Sequence, residues 1–177
     1  RERIFYHNVE KIKNLNKNLK TGKVGINNLT DRTHSEIKAM KGRISNKSKS
    51  QNMIFLENTD IDISNLPKEI NWVERGVIND VTNQGDCGSC WAFSTIANVE
   101  AHLAINTNRL IKLSEQQLVS CVPNPRHCGG KGGCNGAVEE LGYEYIKNNG
   151  VTLDSNYPYE EKDSECNDEL VAKKVAT

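Results

Sequence analysis

All six cysteines of this chain lie between residues 87 and 166, and none precedes them. Covalent stapling is therefore confined to the second part of the chain. The first part must find its order through helices, turns and side-chain hydrogen bonds alone. Six cysteines packed into that interval and interleaved with glycine turns point to disulfides, and so to an oxidising compartment. A zinc site or a redox pair is the alternative reading of such spacing. Charge divides the chain in a similar place: residues 1–65 carry 13 basic and 7 acidic side chains, whereas residues 66–177 carry 10 and 16. The formal net charge of zero hides two oppositely charged halves, and it argues against a whole-chain nucleic-acid binder. With 177 residues there is room for one ordinary domain, or for a small domain joined to part of a larger one. No apolar run approaches the ~20 residues that would span a bilayer.

Ile4, Phe5, Val9, Ile12, Leu15 and Leu19 recur at three- and four-residue steps, which predicts an amphipathic helix ended by Thr21 and Gly22. A short helix is expected over 33–40, then a basic, Ser-rich run over 41–50 read as exposed linker. Residues 53–56 are apolar enough to pack, and 58–67 read as extended up to Pro67. A domain boundary is placed near 58–66. The stretch 89–106 is apolar on most faces and predicts a buried central helix. Ser114 followed by Gln117 is a capping-box signal for a second helix through 120. A third runs over 137–147 and is stopped by Asn149 and Gly150. Two prolines and the glycines of 129–136 mark an irregular loop crossed by cysteines.

Chemistry concentrates at Asn83-Gln84-Gly85-Asp86-Cys87-Gly88-Ser89-Cys90-Trp91. A cysteine in the first turn of a buried helix sits where unpaired N–H groups and the helix dipole favour negative charge, so Cys90 is placed to be a nucleophile. Gln84 lies six residues earlier, across a glycine turn. Its amide could fold back beside Cys90 and, with the Cys90 N–H, face a developing oxyanion. This is an acyl-transfer constellation. Cys87 and Cys90 alone would also suit a thioredoxin-like redox pair, but that fold needs a βαβ pattern around the motif. Cys87, Cys90, Cys128 and Cys134 have the ligand count for zinc at irregular spacing.

The run Cys87-Gly88-Ser89-Cys90-Trp91 resembles the signature of papain-like, cathepsin L-type cysteine peptidases. Leu66-Pro67-Lys68-Glu69-Ile70-Asn71-Trp72 resembles their mature amino terminus, Gly133-Cys134-Asn135-Gly136 their substrate-cleft segment, and Tyr157-Pro158-Tyr159 also fits. Arg1, Phe5, Asn8, Ile12 and Asn16 have the spacing of the helical motif in the family's inhibitory propeptide. Gly25, Asn27, Leu29 and Asp31 are similar to its second motif, with Leu29 where an aromatic is usual.

The resemblance implies a division into an inhibitory propeptide over 1–57, a linker with the maturation region over 58–65, and the amino-terminal lobe of a peptidase domain over 66–177. The implied fold class is α+β, mostly helical as present: a helical propeptide and the helical left lobe, with the β-rich right lobe missing and expected to begin near 168–177. Cys90 is implied as nucleophile and Gln84 as oxyanion donor. Gly88, Gly136 and Ala137 would meet an extended peptide through their main chain, with the Ala137 methyl set to crowd it. Cys87–Cys134 and Cys121–Cys166 would be the bridges, which leaves Cys128 to pair beyond residue 177.

A peptidase of this kind needs a histidine base and an orienting asparagine well downstream of the cysteine. His7 and His34 belong to the propeptide, His102 lies about 18 Å along the same helix as Cys90, and His127 sits in the cysteine-crossed loop. The expectation is a truncated zymogen, inactive as written, with an inhibitor or interaction protein of related peptidases as the alternative. Protein or peptide substrates and the chain's own propeptide are the implied partners. No cofactor, metal, nucleic acid or membrane span is expected, and the chain is expected to be a monomer, lysosomal or secreted. Asn28 and Asn46 lie in glycosylation sequons. The opposed charges of the two halves suggest a propeptide that binds near neutral pH and loosens in acid.

Overall fold

The computed structural model describes residues 1–42 and 63–176. The linker expected over 58–65 lies mostly outside the described residues, as do the apolar 53–56, Asn46 and nearly all of the basic run. The chain divides into two compact units, Arg1–Lys41 and Gly42–Thr177.

The first unit contains α1 (Glu2–Asn18) and α2 (His34–Met40). Neither helix buries a residue, and polar side chains do the holding. From one face of α1, Asn8 donates to Thr30 O at 2.9 Å and Arg32 O at 3.3 Å. Two turns later Asn16 donates to Val24 O and accepts from Val24 N, both at 2.8 Å. That pair draws the chain back early, and so α1 stops at Asn18 with Leu19 already extended, short of the Thr21-Gly22 stop expected from composition. Thr33 caps α2 in a complete capping box with Glu36. Arg1 closes the unit with a forked contact to the Glu36 carboxylate, at 2.9 and 2.5 Å.

In the second unit, residues 63–65 form a 3-10 turn (Ile63–Asn65), which corrects the extended reading there. Pro67 restricts only the residue before it, so nothing prevented a turn three residues upstream. The central helix is α3 (Cys90–Thr107). Trp91, Ala92, Thr95, Ile96, Glu100 and Ala104 are its buried side, while Ile105 is 44% exposed. Its burial is thus one-sided rather than complete, because α4 (Glu115–Cys121) and α5 (Glu139–Asn149) pack on that side. Gly142 allows α5 its close approach: a methyl there would sit 2.8 Å from Thr95 Oγ1. Ser114 caps α4 through Gln117 N at 3.0 Å, but only half of the expected box forms. The Gln117 amide bonds Gly150 O (3.0 Å) and Thr152 N (2.8 Å) instead, tying α4 to β1 (Val151–Thr152).

The stretch expected to open a second lobe begins with α6 (Asp168–Val171), whose first amides Asn167 caps. It then returns as β2 (Lys174–Ala176), antiparallel to β1. Asn167 is a strong N-cap immediately before two acidic residues, a helix-start signal that the sequence reading passed over.

A polar knot lies beside the core of Trp91, Ile96, Leu113 and Leu118. Glu100 and Glu115 are 3% and 2% exposed, and Lys112 pairs with both, at 3.4 Å to Glu100 and closely to Glu115. Glu100 also accepts Leu113 N at 2.7 Å and the Asn79 amide at 2.9 Å. Burial pushes the Glu115 carboxyl up, and Lys112 offsets part of that. Burial alone would lower Lys112, but the two carboxylates outweigh it and raise it, so Lys112 stays charged.

Lys112→Met would leave two buried carboxylates without their cation. The expected loss is about 3–5 kcal/mol, read as a lower urea midpoint at pH 7. A carboxyl with a raised folded pKa favours the fold most when protonated, so the loss should shrink toward pH 4. Equal midpoints at pH 7 would refute this account.

In the first unit the sign is opposite. The Arg1 hydrogen bond, helped by Thr33, lowers Glu36 from 4.5 to about 2. Its contribution is full above the ordinary carboxylate range and is lost as pH falls from about 4.5 toward about 2. The helicity of the first unit should therefore persist at pH 4, and Glu36→Gln should remove the remaining loss between pH 4 and pH 2 in a circular dichroism titration.

Candidate active site

Cys90 is the first residue of α3, and the free thiol is partly exposed. Ala92 N and Phe93 N are the first amides to bond back, to Ser89 O at 2.8 and 3.2 Å. The Cys90 and Trp91 amides therefore have no acceptor within the helix. Ser89 is fully buried but caps nothing; its hydroxyl bonds the Tyr159 phenol at 2.7 Å. Tyr159 OH donates to Gln84 O at 2.9 Å, so its single hydrogen is used there and Ser89 is the donor to Tyr159. Burial raises the Tyr159 phenol, which stays protonated and able to donate. Phe93 packs edge-on against its ring at 4.8 Å. The residue before the Gly85 turn and the residue before Cys90 are thus joined through one half-buried phenol. Sequence reading used Tyr159 only as part of a family pattern, because its partners are 70 and 75 residues away.

Gln84 is half-buried, and its Nε2 donates to Cys87 O at 2.8 Å. The amide is folded back over its own turn toward the start of α3. Gly85 takes the left-handed backbone that this turn needs, φ 61°.

Opposite lies the 3-10 turn Gly133–Asn135. A disulfide joins Cys87 to Cys134, Gly88 N donates to Cys134 O at 2.9 Å, and Trp91 Nε1 donates to Gly133 O at 3.0 Å. With Cys87 bridged, the pair Cys87/Cys90 is neither a redox couple nor half of a zinc site. Cys121 is bridged to Cys166, and Cys128 is free and half-buried. Between these walls lies the backbone of Gly42, the first residue of the second unit. A methyl at Gly42 would run into Gly88 O, and one at Gly136 would run into Gly42 O. Gly88 and Gly136 therefore meet a peptide main chain without side chains between.

Ala137 follows Gly136 directly and is fully buried within the hydrophobic core, with its carbonyl against Gly129. His102 and His127 are exposed, and among the described residues no histidine hydrogen-bonds the Cys90 thiol. Asn28 is exposed. No group of three metal-binding side chains occurs among the described residues, and none of their helices is long and apolar enough to cross a membrane.

A family model described as Papain family cysteine protease matches residues 66–177, and one described as Cathepsin propeptide inhibitor domain (I29) matches residues 1–37. The KDEL-tailed cysteine endopeptidase CEP2 of Arabidopsis thaliana is 39% identical over 171 residues, which are 92% of this chain and 46% of that protein. A cathepsin L-like proteinase of Phaedon cochleariae is 39% identical over 143 residues, 81% of this chain and 42% of its own length. The digestive procathepsin L2 proteinase from Tenebrio molitor larval midgut superposes with a TM-score of 0.78 at 31% identity, covering 94% of this chain and 55% of that one. The chain spans about half the length of the curated relatives it matches.

The Cys87–Cys134 bridge closes a 47-residue separation around the site. Replacing both cysteines by serine should lower stability by about 4 kcal/mol on loop-entropy grounds, seen as an earlier urea transition. An unchanged transition would show that the paired main-chain bonds hold the walls without it.

Proposed function

Because the chain belongs to the papain family of cysteine proteases, with a cathepsin-type inhibitor domain ahead of the peptidase region, we propose that it is part of the zymogen of a cysteine endopeptidase. The observation that carries this reading is the free thiol of Cys90 at the first position of α3, beside two glycines that already hold a peptide backbone. The thiolate attacks the scissile carbonyl. The Cys90 N–H and the Gln84 amide stabilise the oxyanion, the amine leaves with a proton, and water releases the acyl group. The base is a histidine outside these 177 residues, as the family resemblance implies; His102 and His127 are exposed, and no described histidine hydrogen-bonds the Cys90 thiol. Gly88 and Gly136 bind the substrate main chain, and Gly42 occupies that path before maturation, as part of the intramolecular inhibitor. Residues 1–57 form the propeptide and 58–65 contain the maturation cleavage. Two disulfides suit a lysosomal or secreted protein.

The test uses the full-length protein. Wild type, after acid treatment, should cleave a fluorogenic peptide, and Cys90→Ser should lose at least ~10³-fold in kcat. Retained cleavage in Cys90→Ser would end this reading.

A second reading draws on the first unit, whose own hydrogen bonds hold it together. Such a unit could inhibit a related peptidase in trans. Inhibition of that peptidase by added chain, with no cleavage by the full-length protein, would favour this role.

The opposed charges of residues 1–65 and 66–177 support release of the propeptide in acid. Its affinity for the mature enzyme should fall at least tenfold from pH 7 to pH 4, as carboxylates protonate below about pH 4–5. Because Glu36 stays ionised at pH 4, the released segment should keep its helices. Equal affinity at both pH values would remove the electrostatic account.

A further inference from the structure

Residues 159–163 reach both walls of the site from a base that is itself fixed. Gln116 is fully buried, and its amide accepts Glu160 N at 2.9 Å and donates to Lys162 O at 3.0 Å. The residues between and beyond those anchors, Glu161 and Asp163, each send a carboxylate to one wall. Glu161 accepts the Asp86 N–H at 2.5 Å and lies over Gly85, where a methyl would strike its carboxyl group. Asp163 accepts Cys134 N at 2.7 Å and the Asn135 amide at 3.3 Å, and it lies in the same way over Gly133. On each wall one carboxylate covers a glycine and takes the next main-chain amide.

Glu161 holds this position at a cost. Its φ is 59°, a left-handed backbone that glycine adopts freely and a glutamate resists. The residue is exposed, so core packing does not account for a side chain at a position that suits glycine. Among the described residues its hydrogen bond is to the turn that follows Gln84. Strain kept in this way next to a site is a sign of function.

We propose that Glu161 and Asp163 are positioning residues that form a two-pronged clamp on the cleft. Glu161 fixes the turn that carries the oxyanion donor Gln84, and Asp163 fixes the turn that carries Gly136. The proposal rests on the protease reading above. An oxyanion donor must lie within about 2.7–3.1 Å of the developing charge, so a loosened Gln84 turn lowers the rate of the chemical step more than it weakens substrate binding. A loosened Gly136 wall weakens main-chain binding of the substrate instead.

The test is steady-state hydrolysis of a peptide amide by the full-length, matured protein, with thermal melting of each variant. Glu161→Gly relieves the left-handed strain and should raise the melting temperature, yet lower kcat about tenfold with KM changed less than about twofold. Glu161→Gln still offers an oxygen to the Asp86 N–H and should keep about half of kcat or more. Asp163→Ala should act mainly on KM, raising it about fivefold. A residue with a merely structural role would give the higher melting temperature in Glu161→Gly with unchanged kcat, and that result would overturn the clamp. If Glu161→Gly fails to fold, Glu161→Ala with wild-type kcat would overturn it equally. A wild type that cleaves no peptide would overturn the protease reading and the clamp with it, an outcome distinct from active wild type with insensitive variants.

Discussion

The arrangement around Cys90 depends on the joining of two distant turns, the one before α3 and the one at Gly133–Asn135. The Cys87–Cys134 disulfide makes this junction covalent, and Gly88 N on Cys134 O and Trp91 Nε1 on Gly133 O give it direction. Each tie acts within three residues of Cys90. The helix start cannot shift along its axis without breaking a main-chain bond, the indole bond or the bridge. Its unpaired amides therefore stay fixed relative to the opposite wall.

Polar residues are the framework of the second unit as much as apolar ones. α4 buries Gln116 and Gln117 completely, and each uses its amide as a two-sided connector. Gln117 holds the start of β1, and Gln116 holds the segment that carries Glu161 and Asp163. A leucine of similar size would fill the same space but could not fix the register of a chain lacking regular structure. This explains how an irregular segment is placed beside the start of α3 and its free Cys90 thiol.

The site was legible in the sequence where its signals are local. The helix start at Cys90, the glycine turn after Gln84 and the Ser114 cap of α4 all depend on residues within a few positions. The family resemblance carried the rest of the way. Less legible were features set by distant partners: the Tyr159 phenol linking Ser89 to Gln84 O, Gln117 leaving its capping box for β1, and the one-sided burial of α3. The end of α1 was misplaced for the same reason, because Asn16 engages Val24 across a turn that composition does not reveal. The burial of Ala137 within the core was equally hidden, since its neighbours there come from distant parts of the chain.

The contact at Gly42 bears on how a chain can occupy its own cleft. Gly42 lies against Gly88 and Gly136 so closely that a Cβ on it would meet Gly88 O, and Gly136 has no room for one either. Any other residue on this path must withdraw or turn its Cα–Cβ bond away from the wall. The glycine thus lets the chain's own segment approach both walls more closely than a side-chain-bearing peptide held in the same orientation. On the protease reading this favours an occupant that binds well through its main chain while differing in depth from a substrate. Inhibition and substrate recognition then share the same two glycines, and the difference between them lies in the residue laid upon them.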